Sequence, residues 1–276
     1  MSETITFSSC FYILKAKFDA SVYVEWMNNF LSIVNNFNLV IYTDDKSKQY
    51  INTNNNPRVK VIIKPIDKFY NYKYKKNWML NHNKNDFLKD MVDWKVNMLW
   101  SEKINFVKET YEKKYFTNTD IYGWCDIGYF RNRTSNSTDK GDLNTSFLSN
   151  WANKEKISKL DLNKIHYACI NNDNKFIGML MKIVSEKTDN GLPLQEIPPY
   201  QYSVAGGFFI LHKDKINDWF KTYDNKLKLY FKHNYLVKDD QIILIDCILT
   251  ELKRFCLHKE NDEKYDNWFM FQRILQ

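Results

Sequence analysis

The sequence predicts an α/β protein, and three observations carry that prediction. Short apolar strand-like runs alternate with helical spacing from the first residues onward. One such run, Asn38 to Asp45, ends in two carboxylates, as buried parallel strands end at a functional edge. The chain has 276 residues, of which 44% are hydrophobic and 16% aromatic, enough for one substantial core. The expectation is a single domain over residues 1–276, without internal repeats or a linker.

The elements follow in order. Thr4 to Leu14 alternates as a strand, and Val22, Trp26, Phe30 and Val34 recur by fours as a helix. NLVIYTDD and RVKVIIKPI (Arg58 to Ile66) are the second and third strands, which completes a β-α-β-loop-β opening. Asp67 to Lys89, dense in Tyr, Asn and Lys, reads as a loop or a short helical insertion. Val92 to Tyr115 is a strong helix with its stripe at Val92, Val96, Leu99, Trp100, Phe106 and Val107. Lys103 falls on that same stripe. Ile121 to Phe130 is a strand breaking into a turn, and Arg131 to Thr145 a polar surface loop. His166 to Ile170 is a strand, and Thr188 to Val204 a loop with three prolines. Ala205 to His212 is a Gly-Gly turn entering a strand. The helix after it carries Ile216, Trp219, Phe220, Tyr223, Leu227 and Tyr230. Lys238 to Gln241 opens an apolar helix, Ile242 to Leu252, and Arg254 to His258 is a late strand.

Composition excludes several classes. Seven glycines and five prolines rule out collagen-like, linker-like and Pro-rich chains. No G-x-G-x-x-G and no P-loop can be drawn from Gly123, Gly128, Gly141, Gly178, Gly191, Gly206 and Gly207. The net charge of +7 fits a low-G+C coding bias, and it also suits nucleotides, phosphorylated substrates or nucleic acid. Five cysteines without a C-x-x-C pair argue against a zinc knuckle and for a reducing compartment. MSETITFSSC lacks the features of a signal peptide, and no apolar run reaches the roughly 20 residues of a membrane span. The expectation is a cytoplasmic protein, of a cell or of a virus replicating in one. Asn132, Asn136 and Asn144 match the glycosylation sequon, as chance allows in an Asn-rich chain.

Six features can carry chemistry. Asp126 sits where an apolar strand breaks at Gly128. A carboxylate there, with diphosphate oxygens and water, suits Mg²⁺ or Mn²⁺, and equally it suits a turn cap. Gly206-Gly207 before Phe208-Phe209 allows close backbone approach, or a turn needing positive φ. Asp239-Asp240-Gln241 exceeds what one N-cap requires, so one side chain can face a pocket. Thr43-Asp44-Asp45 ends the second strand, where an acid meets a ribose or a base edge, or else makes a turn. Lys103 either snorkels to water or meets a phosphate. His258, ending the late strand, can complete a metal site or be structural.

The order of these pieces, a strand with T-D-D, a helix with Lys103, W-C-D-I-G-Y-F-R, A-G-G-F-F and D-D-Q, resembles the HtrL/YibB-like glycosyltransferase family. More broadly it is similar to GT-A fold nucleotide-sugar transferases, from about Thr4 to His258. The resemblance implies a GT-A-like, Rossmann-like mixed sheet flanked by helices. It implies transfer of a sugar from a UDP-linked donor to a glycan or other hydroxyl acceptor, assisted by Mn²⁺ or Mg²⁺. By position it implies Asp126 and His258 as metal ligands, and Asp239, Asp240 and Gln241 at the catalytic helix start. Thr43, Asp44, Asp45, Lys103, Gly206 and Gly207 then fall near the donor. The family's D-x-D reads Asp126-Ile127-Gly128 here, without its second carboxylate. Two other readings remain: a non-catalytic nucleic-acid binder, from the charge and the Lys/Tyr span Lys68 to Lys76, and a glycan-binding module without turnover on the same fold. Binding a polyanion does not need the acid-and-glycine order, which weighs against nucleic acid as the partner.

Overall fold

Two segments covered on both faces, Ile5–Phe11 (β1) and Asn38–Thr43 (β2), lie side by side in parallel and are buried throughout. A strand covered on both faces reads as a nearly continuous apolar run, as β2 does, whereas β1 buries Thr6, Ser8 and Ser9 among its apolar residues and pairs the Ser8 hydroxyl with Thr110 at 2.8 Å. The computed structural model describes residues 4–131, 147–171, 173–260 and 265–276. Gly141, the three sequons and nearly all of the predicted Arg131 to Thr145 loop lie outside the described residues.

Among the described residues seven strands form one mixed sheet. The others are Val59–Ile63 (β3), Ile121–Cys125 (β4), Ile165–Ala168 (β5), Phe208–His212 (β6) and Phe255–His258 (β7). Their order is β3-β2-β1-β4-β6-β5-β7. β3, β2, β1 and β4 are parallel, β6 runs against both β4 and β5, and β7 is parallel to β5. The predicted β-α-β-loop-β opening is present. β1 stops at Phe11 rather than reaching Leu14, and the residues after it turn over the end of the sheet.

The pleat sorts the strands' side chains into two cores. Val40, Tyr42, Tyr122, Trp124, Tyr167, Phe209 and Leu211 face one core. They pack against the helices Trp94–Glu112 (α4), Asn174–Ser185 (α6), Lys213–Lys232 (α7) and Asp240–Thr250 (α8), whose neighbours in chain order are five further helices. Those neighbours are Ala20–Ser32 (α1), Asp45–Lys48 (α2), Lys75–Asn83 (α3), Lys154–Ile157 (α5) and Met270–Ile274 (α9). Phe7, Leu39, Ile41, Phe208 and Ile210 face the opposite core, with Met27 and Phe30 of α1 and Phe271 of α9.

The helix α6 is absent from the sequence reading, which leaves Asn171 to Lys187 without an element. Its signal is present: Phe176, Leu180, Ile183 and Val184 share one stripe, and Asp173 accepts from the backbone N–H groups of Lys175 and Phe176 as N-cap. Helix α8 begins at Asp240, two residues before the predicted start, because Asp239 caps it and accepts from Gln241 N–H at 3.2 Å.

Gly123 holds the centre of the sheet. A Cβ there would lie 2.4 Å from the Phe209 carbonyl oxygen and 2.9 Å from the Phe7 ring. The carbonyl belongs to the neighbouring strand and cannot swing away. Gly123→Ala is expected to cost about 3 kcal/mol, as overpacking of a rigid core does. Urea unfolding of the two proteins measures it, and equal midpoints would contradict this packing.

Candidate active site

The strand order places a crevice between β1 and β4. The chain leaves β1 toward β2 and β3 on one side and later returns to β4 on the other, so the connections diverge at that point. In open α/β sheets such a divergence opens a cleft at the carboxyl ends of the strands. A cavity of about 240 Å³ lies there. Its walls come from the end of β1 (Cys10, Phe11, Tyr12), the end of β4 (Trp124, Asp126, Gly128), α4 (Leu99, Trp100, Lys103) and the start of α8. β6 runs antiparallel to β4, so Gly206-Gly207, just before it, meet the end of β4.

The floor is a buried ion cluster. Lys103 is 6% exposed, and its ammonium reaches Asp240 Oδ2 at 3.1 Å, Asp126 Oδ1 at 3.3 Å and the Gly206 carbonyl oxygen at 2.9 Å. An ammonium has three protons, and each finds an acceptor. Burial works against the Lys103 charge, but the Asp126 and Asp240 carboxylates outweigh it and hold the lysine above its ordinary range. Asp126 also accepts from the Trp124 indole N–H at 2.6 Å, and its backbone N–H donates to the Gly207 carbonyl at 2.9 Å. Its side chain is 40% exposed, toward the cavity. Desolvation pushes the Asp126 carboxyl up, with Lys103 offsetting part of the rise. Asp239 is pushed up by burial too, against the pull of Lys238 at 2.9 Å.

The paired glycines make room for this cluster. A Cβ on Gly206 would stand 2.6 Å from Asp240 Oδ2, and one on Gly207 3.1 Å from Asp126 Oδ2. Gly206 and Gly207 form the expected turn, but among the described residues the one glycine at positive φ is Gly191, so close approach rather than positive φ calls for glycine there. What approaches them within the protein is a carboxylate in each case.

The structure thus brings together Lys103, Asp126, Gly206, Gly207, Asp239, Asp240 and Gln241. Gln241 donates from Nε2 to the Val204 carbonyl, which ties the helix start to the segment leading into β6. Asp239 serves mainly as cap and partner of Lys238, whereas Asp240 faces Lys103. Thr43, Asp44 and Asp45 do not line the cavity. The Thr43 hydroxyl donates to the Phe11 carbonyl at 2.7 Å, Asp44 caps α2 by accepting from Ser47 N–H at 2.7 Å, and Asp45 is exposed.

His258 is not brought to Asp126. It ends β7, three strands from β4, a separation of about 14 Å at ordinary strand spacing. The expected metal pair of Asp126 and His258 is therefore not formed. Among the described residues, the group of three ligand atoms lying close enough for one ion is His166, Cys256 and His258.

The sequence reading did not single out Lys17, Trp100, Arg131, Trp268 or Phe269 as site residues, yet all line the cavity. The Lys17 ammonium lies 5.1 Å from the centre of the Trp100 ring. The Arg131 guanidinium lies 4.8 Å from that of Trp26 and 4.9 Å from that of Phe269. The wall is thus aromatic and cationic over an acidic floor. Trp26 and Trp100 carried a sequence signal, as positions on the stripes of α1 and α4, and the rest converge from distant segments.

No family model matches the chain, and no curated protein matches it. Among solved structures it is similar to the galactosyltransferase LgtC, solved with donor and acceptor sugar analogs. The identity is 8%, covering 87% of this chain and 69% of that one, with a TM-score of 0.41.

Replacing Lys103 with Met leaves Asp126 and Asp240 facing each other without their cation. The loss is expected to be about 3–5 kcal/mol near neutral pH, as for a buried pair deprived of one partner. Without Lys103 the Asp126 carboxyl, already pushed up by burial, rises further above its unfolded value, so the folded variant binds a proton first and gains stability relative to wild type as pH falls. Urea unfolding at pH 7.5 and pH 5 measures the deficit, which should shrink on acidification. A deficit that is equal at both, or larger at pH 5, contradicts the cluster.

Proposed function

We propose that the chain is a glycosyltransferase that moves a sugar from a nucleoside-diphosphate donor, UDP-linked, to a glycan or other hydroxyl acceptor. The observation that carries this reading is the Lys103 cluster, two carboxylates around one ammonium at the base of an aromatic cavity at the sheet's divergence point. Its volume, about 240 Å³, falls just below the roughly 300 Å³ at which small-molecule pockets begin. The resemblance of the acid-and-glycine order to HtrL/YibB-like and GT-A enzymes points the same way.

The charges suit the chemistry. Glycosyl transfer develops positive charge on the sugar and negative charge on the departing diphosphate. The floor, with Asp126 and Asp240 against Lys103, carries a net negative charge that favours an oxocarbenium-like sugar. Lys17 and Arg131, on the aromatic wall, supply positive charge for phosphate oxygens. Aromatic faces such as Trp100 and Trp26 suit stacking of a base or a sugar ring. Asp126, its carboxyl pushed up and open to the cavity, is the side chain placed to accept the acceptor's proton.

Mn²⁺ or Mg²⁺, if used, would rest on Asp126 with phosphate and water oxygens. Lys103 already brings a positive charge within 3.3 Å of that carboxylate. The reading therefore assigns charge compensation first to the chain's own cations.

A thermal-shift panel of nucleotide sugars, with and without Mn²⁺, tests this. A UDP-sugar is expected to raise the melting temperature, by about 2.7 kcal/mol of stabilisation at a hundredfold excess over Kd. Asp126→Ala is expected to abolish donor hydrolysis and transfer while leaving the circular dichroism spectrum unchanged. Wild-type turnover in that variant would remove Asp126 from the site. Steeply salt-dependent oligonucleotide binding, with no response to any nucleotide sugar, would overturn the reading.

A further inference from the structure

On the face of the sheet that carries α1 and α9, and away from the cavity, three ligand-bearing side chains meet. His166 lies on β5, directly opposite Cys256 of β7 in the parallel register, and His258 follows Cys256 by two residues. Residues two apart on a strand share a face, so Cys256 and His258 project together, and His166 joins them from the neighbouring strand. The His258 ring lies 5.1 Å from Phe271 of α9, which fixes the face. Their ligand atoms all fall within 4.8 Å of one another. We propose that His166, Cys256 and His258 form a binding site for a single borderline transition-metal ion, Zn²⁺ by its ligand chemistry.

The hydrogen bonds around the cluster support this. His166 Nε2 lies 2.9 Å from the Asp161 carbonyl oxygen, which can only accept, so Nε2 carries the proton and Nδ1 presents a bare lone pair. That lone pair faces His258 Nε2 at 2.9 Å. A backbone carbonyl holding the far nitrogen of an imidazole is the outer support that metal-binding histidines ordinarily have. In the metal-free state a ring proton of His258 lies between the two nitrogens. A metal ion takes its place. His258 shifts its proton to Nδ1 and ligates through Nε2, and the Cys256 thiol gives up one proton to solvent and binds as thiolate. Two nitrogens on one tetrahedral zinc stand about 3.3 Å apart. The 2.9 Å pair needs to open by only a few tenths of an ångström.

Two further features fit. β7 is the last strand in the sheet order, and Cys256 and His258 are only partly buried, so an ion can reach them from the edge. Two imidazoles and a thiolate select zinc-like ions over Mg²⁺ or Mn²⁺, which prefer oxygen. The site lies about 14 Å from Asp126 by strand spacing and does not rest on the glycosyltransferase reading.

Co²⁺ titration of the chelator-stripped full chain tests the proposal. One equivalent is expected to give the intense visible bands of tetrahedral Co²⁺ with a sulfur-to-cobalt charge-transfer band, and Zn²⁺ should displace it. Cys256→Ser should lose the charge-transfer band. His258→Gln removes a ligand itself and should weaken binding by more than the roughly tenfold that loss of an outer support costs. Asp126→Asn should leave the titration unchanged. Weak octahedral bands without the sulfur band in the wild-type chain would overturn the proposal, whatever the variants do. So would tetrahedral binding that survives Cys256→Ser and His258→Gln, or binding that disappears in Asp126→Asn, since the metal would then belong to the cavity.

Discussion

The buried ammonium of Lys103 ties four parts of the chain to one point. It leaves α4, meets Asp126 just past β4 and Asp240 at the first turn of α8, and donates to the backbone just before β6. A lysine taken from water loses several kcal/mol of hydration, so the charge persists only where acceptors saturate it. That requirement orients the α8 N-terminus toward the β4 end. It also explains the two glycines, because any side chain at Gly206 or Gly207 would occupy the space the carboxylates need. A cluster of this kind contributes less to net stability than to specifying one arrangement, since separation of any partner leaves a buried charge alone.

The topology supplies the location. Because β4 adds beside β1 after β2 and β3 have added on its other side, loops diverge over the β1–β4 boundary. The antiparallel β6 then delivers a chain segment into the same cleft from the opposite direction. Three segments far apart in sequence, near residues 103, 126 and 240, become neighbours through this order alone. The aromatic wall arises the same way, with Trp26 from α1, Trp100 from α4 and Trp268 from near the C-terminus. The cavity is therefore a product of strand order, and its chemistry a product of which residues stand at the strand ends.

The two functional proposals use different chemical alphabets. The cavity is built of carboxylates, an ammonium and aromatic faces, which suit a charged and ring-bearing substrate. The β5–β7 face is built of imidazoles and a thiol, which suit a borderline metal ion. The late histidine that the sequence offered to the first belongs geometrically to the second. His258 and Asp126 both end strands, and nothing local distinguishes a strand end beside the cleft from one three strands away.

Local periodicity was enough to place most elements. All seven strands and helices α1, α4, α7 and α8 are legible because burial imposes period 2 on strands and 3.6 on helices. The lysine on the α4 stripe was legible as an anomaly, since a charge among core positions demands partners. The identity of the partners was not, because ion pairing acts through space between separate elements, here Lys103 of α4 with Asp126 beyond β4 and Asp240 of α8. Asp239 and Asp240 show the limit plainly: adjacent acids in sequence, one becomes the helix cap and the other the lysine's counter-ion, according to where α8 begins. His166 carried no signal at all, since its relation to Cys256 and His258 exists only through the parallel register of β5 with β7. The sequence by itself determined the α/β class and the residue types available for chemistry, because both follow from local composition and period. Which of those residues share a site was decided by tertiary structure, because strand order and register set distances that no spacing along the chain encodes.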